Sequence, residues 1–139
     1  MQRIQERLAR LPSEMRVARA DEYEAKKALG MANNALMLVR GAVLDTSPPE
    51  GKSIAERDAA AVLILEADPQ WRRSQEIVAR AEDDLVAGKL YVRALEDELS
   101  CLRSQVRLIT AMMVLMATGT PLEDVPVADL MLDRELGTP

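Results

Sequence analysis

The chain has 139 residues, a net charge of -5 and 48% hydrophobic residues, which excludes general disorder and leaves room for one domain or one elongated unit. Trp71, Tyr23 and Tyr91 are its only aromatics and Phe is absent, so the core must rest on Ala, Leu, Val and Met, a mix suited to helices packed side by side. The acidic balance argues against a dedicated duplex-DNA binder, whose affinity comes largely from neutralising phosphates.

Charge is unevenly spread. Residues 1–20 carry Arg3, Arg7, Arg10, Arg16 and Arg19 against Glu6 and Glu14, a net +3. Residues 118–139 carry Glu123, Asp124, Asp129, Asp133 and Glu135 against Arg134, a net -4. The lone Cys101 fits a reducing compartment. The opening MQRIQERLARLPSEM lacks the apolar stretch of a secretory leader. The longest uncharged run, residues 108–122, falls short of the ~20 residues that span a bilayer. A cytoplasmic protein that does not span a membrane is expected.

The first element runs to about Asp45. Its apolar positions alternate four and three apart, from Ile4, Leu8, Leu11, Met15 and Ala18 through Ala25, Leu29, Ala32, Leu36, Val39 and Val43, with Glu22 the one interruption. That average spacing marks a coiled-coil seam. Pro12 predicts a break near Leu11, with a short helix before it and a long one after. Residues 46–53 form a turn around Pro48 and Pro49. Ser53 and Glu56 have the spacing of a capping box, so a second helix begins near Ile54. Asp68-Pro69 predicts either a kink or a fresh helix start.

From Trp71 onward the pattern is clearest. One line runs Trp71, Val78, Leu85, Val92, Leu99, Val106 and Met113, and the other Ser74, Ala81, Gly88, Leu95, Leu102, Ile109 and Met116. It holds for seven heptads without a slip. The helix should stop near Thr118-Gly119. Thr120 and Glu123 repeat the capping spacing, and Leu130, Met131 and Leu136 give the rest an apolar face, either as a docked helix or as a mobile tail.

A short turn between long helices predicts an all-α, antiparallel coiled-coil hairpin over residues 1–118, followed by an acidic amphipathic tail over 119–139. Folding about residues 49–51 sets Leu36 against Ile64, Leu29 against Trp71, Met15 against Leu85 and Leu8 against Val92. It also sets Arg3 and Arg7 near Glu96 and Glu98, and Arg16 and Arg19 near Asp83 and Asp84. The small residues Ala18, Ala25 and Ala32 then face the region of Ser74, Ala81 and Gly88. In this register the first helix runs out opposite about residue 99, leaving Leu102, Val106, Ile109, Met113 and Met116 without an intrachain partner. Leaving such a stripe wet sacrifices on the order of 10 kcal/mol, so a second copy is expected to cover it. Leu95, Leu99, Leu102, Val106, Ile109, Met113 and Met116 are the expected oligomer interface. Leu130, Met131 and Leu136 are the expected partner-binding tail.

The chemistry of catalysis is scarce. Without histidine, Ser-His-Asp and Cys-His mechanisms and most zinc sites are closed. Gly51-Lys52-Ser53 echoes the end of a phosphate loop but lacks its first glycine and its leading strand. The acidic triplets at 82–84 and 96–98 point in diverging directions on a helix and read as solvated faces. Glu22, placed among alanines, could turn outward, set register or pair with Arg80. Cys101 reads as a surface thiol, and Met112, Met113, Met116 and Met131 as flexible apolar contacts. No catalytic, cofactor-binding or metal-ligating residue is assigned. The chain reads as a non-enzymatic adaptor or scaffold that binds itself and another protein. A role with single-stranded DNA or recombination, through the N-terminal arginines, is the alternative, and the lack of stacking aromatics opposes it.

Gly51-Lys52-Ser53, Glu56-Arg57 and Asp68-Pro69-Gln70-Trp71, following a long charged helix, resemble small helical proteins of phage and prophage genomes over about residues 20–100. The resemblance implies a helical, phage-encoded protein from a group mostly of unassigned function, often encoded near replication or recombination genes. It carries over no functional residue.

Overall fold

The computed structural model describes residues 1–119, which are helical almost throughout. Three helices follow in order, α1 (Gln2–Thr46), α2 (Ile54–Ala67) and α3 (Pro69–Thr118). Among the described residues there is no strand. The acidic tail expected over 119–139 lies outside them except for Gly119.

α1 is one unbroken helix with Pro12 inside it, which corrects the expected break near Leu11. An interior proline forfeits one backbone hydrogen bond and crowds the preceding turn, at a cost of ~3 kcal/mol. Leu11 on one side of it is fully buried, and Met15 on the other is buried too. Burying two such side chains gains ~1.5–3 kcal/mol each, enough to offset the proline. Arg7 braces the same stretch. Its Nη1 donates to both carboxylate oxygens of Glu14 (2.7 and 2.8 Å), two turns further on and beyond the proline. α1 ends where Pro48 and Pro49 forbid another turn, with the Ser47 N–H donating to the Val43 carbonyl.

The connection to α2 is spatially exacting. A Cβ on Gly51 would sit 2.7 Å from Glu56 Cβ and 2.9 Å from the Arg57 nitrogen, so only glycine fits. Ser53 Oγ accepts from the Glu56 N–H (3.1 Å). The Glu56 carboxylate reaches back to the N–H of Lys52 (2.7 Å), one residue earlier than the standard capping box uses. Asp68-Pro69 is a fresh start. Asp68 Oδ1 accepts from the N–H groups of Gln70 and Trp71 (2.8 and 2.9 Å), and Pro69 opens α3. Residues 54–118 are therefore two helices, broken at a single extended residue.

The long α3 packs against α1, and α2 touches both only lightly. The densest core joins Leu11, Met15 and Ala18 of α1 to Val92 and Leu95 of α3, with Leu99 and Leu102 packed against it. Gly88 lies against Glu22, where an added Cβ would meet Glu22 Cα at 3.5 Å. A fold about residues 49–51 would have set Gly88 opposite residue 12. The register is thus displaced by about ten residues, and the expected contacts of Met15 with Leu85 and of Leu8 with Val92 are replaced by this set. The two periodic lines survive the shift. Every four-three position from 4 to 43, Glu22 included, is buried or half-buried, as is every seam position of α3 from 71 to 109.

Candidate interaction surface at the distal end of α3

Where α1 reaches α3, the contact is fixed by charge as well as by apolar packing. Arg7 donates from Nε and Nη2 to the two carboxylate oxygens of Glu98 (2.6 and 2.8 Å), a planar two-point pairing. With Glu14 on its remaining nitrogen, one guanidinium ties together both sides of Pro12 and α3. These bonds, first to Glu98 and then to Glu14, raise the Arg7 pKa beyond its ordinary range. The Arg7 guanidinium in turn holds the Glu98 carboxyl below its usual value. Arg7 with Glu98 is a pairing the sequence anticipates, whereas the bracing role of Glu14 has no signal in a heptad reading. Arg19 pairs with Glu96 (2.9 Å), not with Asp83 or Asp84 as expected; the shifted register carries the acidic triplet at 82–84 out of its reach.

The expected interface residues divide into three groups. Leu95 is only 4% exposed, inside the intrachain core, and Leu99 and Leu102 pack against that core. Leu102 therefore has the intrachain partner it was expected to lack. Val106 and Ile109 are half-buried. Met113 and Met116 are exposed, at 61% and 83%. The seam is shielded as far as Ile109 and then opens, although its heptads continue. Leu130, Met131 and Leu136 lie outside the described residues.

Beyond the seam, Leu108, Met112 and Val114 are also exposed. From Leu108 to Ala117 the only polar side chain is Thr110, so this end of the helix is apolar around its whole circumference, a composition normally found covered. Leu108 and Val114 fall outside a seam-only reading; the signal that finds them is the absence of charge after Arg107. By length and composition α3 contains one stretch that could cross a membrane. Arg103 and Arg107 are the only charged residues in the 18 that end at Thr118, and both lie in the first half of that stretch.

The remaining candidates offer little chemistry. Among the described residues no group of three or more Cys, Asp and Glu side chains gathers as metal ligands do. Cys101 is exposed. Glu22 is half-buried beside Gly88, and Arg80 is exposed, with no hydrogen bond or ion pair between the two. Comparison with protein-family models, with curated proteins and with solved structures returns no match.

Proposed function

We propose that this protein is a non-enzymatic, cytoplasmic helical scaffold of the kind phage genomes encode, acting through protein–protein contacts. In this reading α1 and α3 form an antiparallel coiled-coil hairpin, and two copies join where the seam of α3 runs past α1. One observation carries it: shielding follows the heptads to Ile109 and stops, while Met113 and Met116 continue the same line in solvent. Burying such side chains gains ~1.5–3 kcal/mol apiece, and a two-fold pairing of identical stripes is the commonest way to do it. Sedimentation equilibrium tests the idea. The chain weighs 15.4 kDa, and the wild type should sediment at about twice that mass. Met113→Glu with Met116→Glu should sediment as a single chain with unchanged helicity. A wild type that stays a single chain at tens of micromolar refutes self-association.

Single-stranded DNA is the second reading, favoured by Arg3, Arg10, Arg103 and Arg107 falling at the same end of the α1–α3 pair. It requires a salt-sensitive shift of a labelled oligonucleotide at low ionic strength. No shift there disposes of it.

A further inference from the structure

A second apolar line runs along α1 outside its seam. Ala28, Met31, Ala35, Leu38 and Ala42 repeat the three-four spacing, and every one of them is exposed, Met31 at 65% and Leu38 at 75%. A helix that carries two such lines can pack against two neighbours at once. α3 serves the first line, and nothing among the described residues serves the second. The Arg7–Glu98 pair fixes which flank of α3 lies beside it. From that pair to the contact of Glu22 with Gly88, α1 advances while α3 recedes, so sevens are counted upward on one helix and downward on the other. The count brings Ala28 and Ala35 beside Ile77 and Gln70. Ile77 is exposed too. One turn further out, Met31 and Leu38 make one wall of a groove, and Arg73 and Arg80 make the other.

We propose that this groove docks an acidic amphipathic helix of a partner protein, which completes a three-helix bundle with α1 and α3. Charge selects that occupant. Residues 25–44 and 69–81 carry Lys26, Lys27, Arg40, Arg72, Arg73 and Arg80 against Glu76 alone, a net +5 in a chain whose total is -5. Arg72 turns toward the end of α2, where its Nε donates to the Glu66 carbonyl (2.6 Å), which leaves Arg73 and Arg80 on the groove side. Asp21, Glu24 and Asp84 lie beyond one end of the groove and Asp45 beyond the other. The docked length is thereby limited to about four turns, roughly 20 Å. Ala28 and Ala35 on the floor let a helix approach closely, while Met31, Leu38 and Ile77 supply the apolar contact. Pairing the groove with its own copy would set one block of cations against another, which opposes a second copy as occupant. No aromatic side chain lines it to stack a nucleic acid base.

This contact rests on the adaptor reading above and deepens it. Ile77 lies about 50 Å along α3 from Met113 at 1.5 Å per residue, so the groove holds or fails independently of the distal contact. The test uses the full-length protein and a fluorescent synthetic helix of about 20 residues, long enough to be helical in water. Its leucines follow the three-four spacing, flanked by glutamates in one version and by lysines in the other. Anisotropy should show the glutamate peptide binding about tenfold tighter than the lysine peptide, and weakening as salt rises. Met31→Ser with Leu38→Ser should weaken it about tenfold or more, and Arg73→Glu with Arg80→Glu should invert the preference. Val86→Ser with Leu90→Ser, exposed on α3 away from the groove, should bind as the wild type does, with unchanged circular dichroism in all variants. Equal affinity for the two peptides, no binding of the glutamate peptide, or wild-type affinity in Met31→Ser with Leu38→Ser overturns the proposal. A sedimentation mass that falls in that variant would seat a second copy in the groove and also overturn it. So would a labelled oligonucleotide that competes with the peptide and binds that variant undiminished.

Discussion

Leu11→Ala probes the one fully buried large side chain among the described residues, where α1, its proline and α3 meet. The substitution removes three carbons, and at ~0.8 kcal/mol each the lost transfer energy is about 2.4 kcal/mol. A cavity adds to this in proportion to how little the surroundings can relax. Leu99 and Leu102, which pack here, are themselves only half-buried and can shift inward. The total should therefore sit in the lower half of the usual Leu→Ala range, about 2.5–3.5 kcal/mol. Leu38, 75% exposed on the same helix, is the control, and its replacement by alanine should stay within about 0.5 kcal/mol. Urea unfolding followed by far-ultraviolet circular dichroism gives both values at one protein concentration. Because the most deeply buried cluster lies at one end of the α1–α3 contact, local opening there can precede global unfolding. Hydrogen exchange should accordingly quicken over residues 4–18 and 92–102 while residues 54–67 keep their protection. Equal costs for Leu11→Ala and Leu38→Ala would refute the packing described for this end.

Gly30 and Gly41 lie inside α1 with nothing within 4 Å of an added Cβ, so alanine at either should raise stability by about 0.8–1 kcal/mol, read as a higher Tm. Gly51→Ala should act oppositely, because Glu56 Cβ and the Arg57 nitrogen occupy the space. Asp68→Ala removes the acceptor for two amides at the start of α3 and should cost about 0.5–2 kcal/mol in urea unfolding. Glu98 titrates below the ordinary glutamate value of 4.5 because Arg7 binds its charged form. Its stabilisation is therefore complete above the unfolded value and is lost as pH falls through the lower folded one. Tm measured from neutral pH downward should fall less steeply below about 4.5 in Glu98→Gln than in the wild type, and parallel acid limbs would contradict this.

The two long periodic lines are legible in the sequence because burial repeats every three and four residues, and nearly every position so marked is shielded. The register is not legible in the same way. Sliding one apolar line along another leaves apolar facing apolar at each half-heptad step, so the pattern alone scarcely distinguishes neighbouring registers. The choice falls to particular side chains. Glu22 finds a glycine beneath its backbone, and Arg7 finds Glu98. The fresh helix start at Asp68 adds to the uncertainty, since α2 then no longer extends α3 as one rod and the turn near residue 50 ceases to be the folding axis. Pro12 shows the limit of a local rule in another way. Its penalty is real, but Leu11 and Met15 bury enough surface on either side to carry the helix through.

The displaced register also changes what must be covered. With the seam shielded as far as Ile109, its unshielded part shrinks from a stripe beginning at Leu102 to the short end at Met113 and Met116. The apolar gain available to a second copy shrinks with it, so association through the seam alone must be weaker than the original stripe would give. That short end, however, is apolar on every side, and one neighbouring helix covers only one side of a cylinder. A copy seated on Met113 and Met116 leaves Leu108 and Val114 exposed. Leu108→Glu with Val114→Glu should accordingly leave the sedimentation mass of the wild type unchanged, in contrast to Met113→Glu with Met116→Glu. A mass that falls to a single chain in Leu108→Glu with Val114→Glu would place the contact on the outer face instead of the seam.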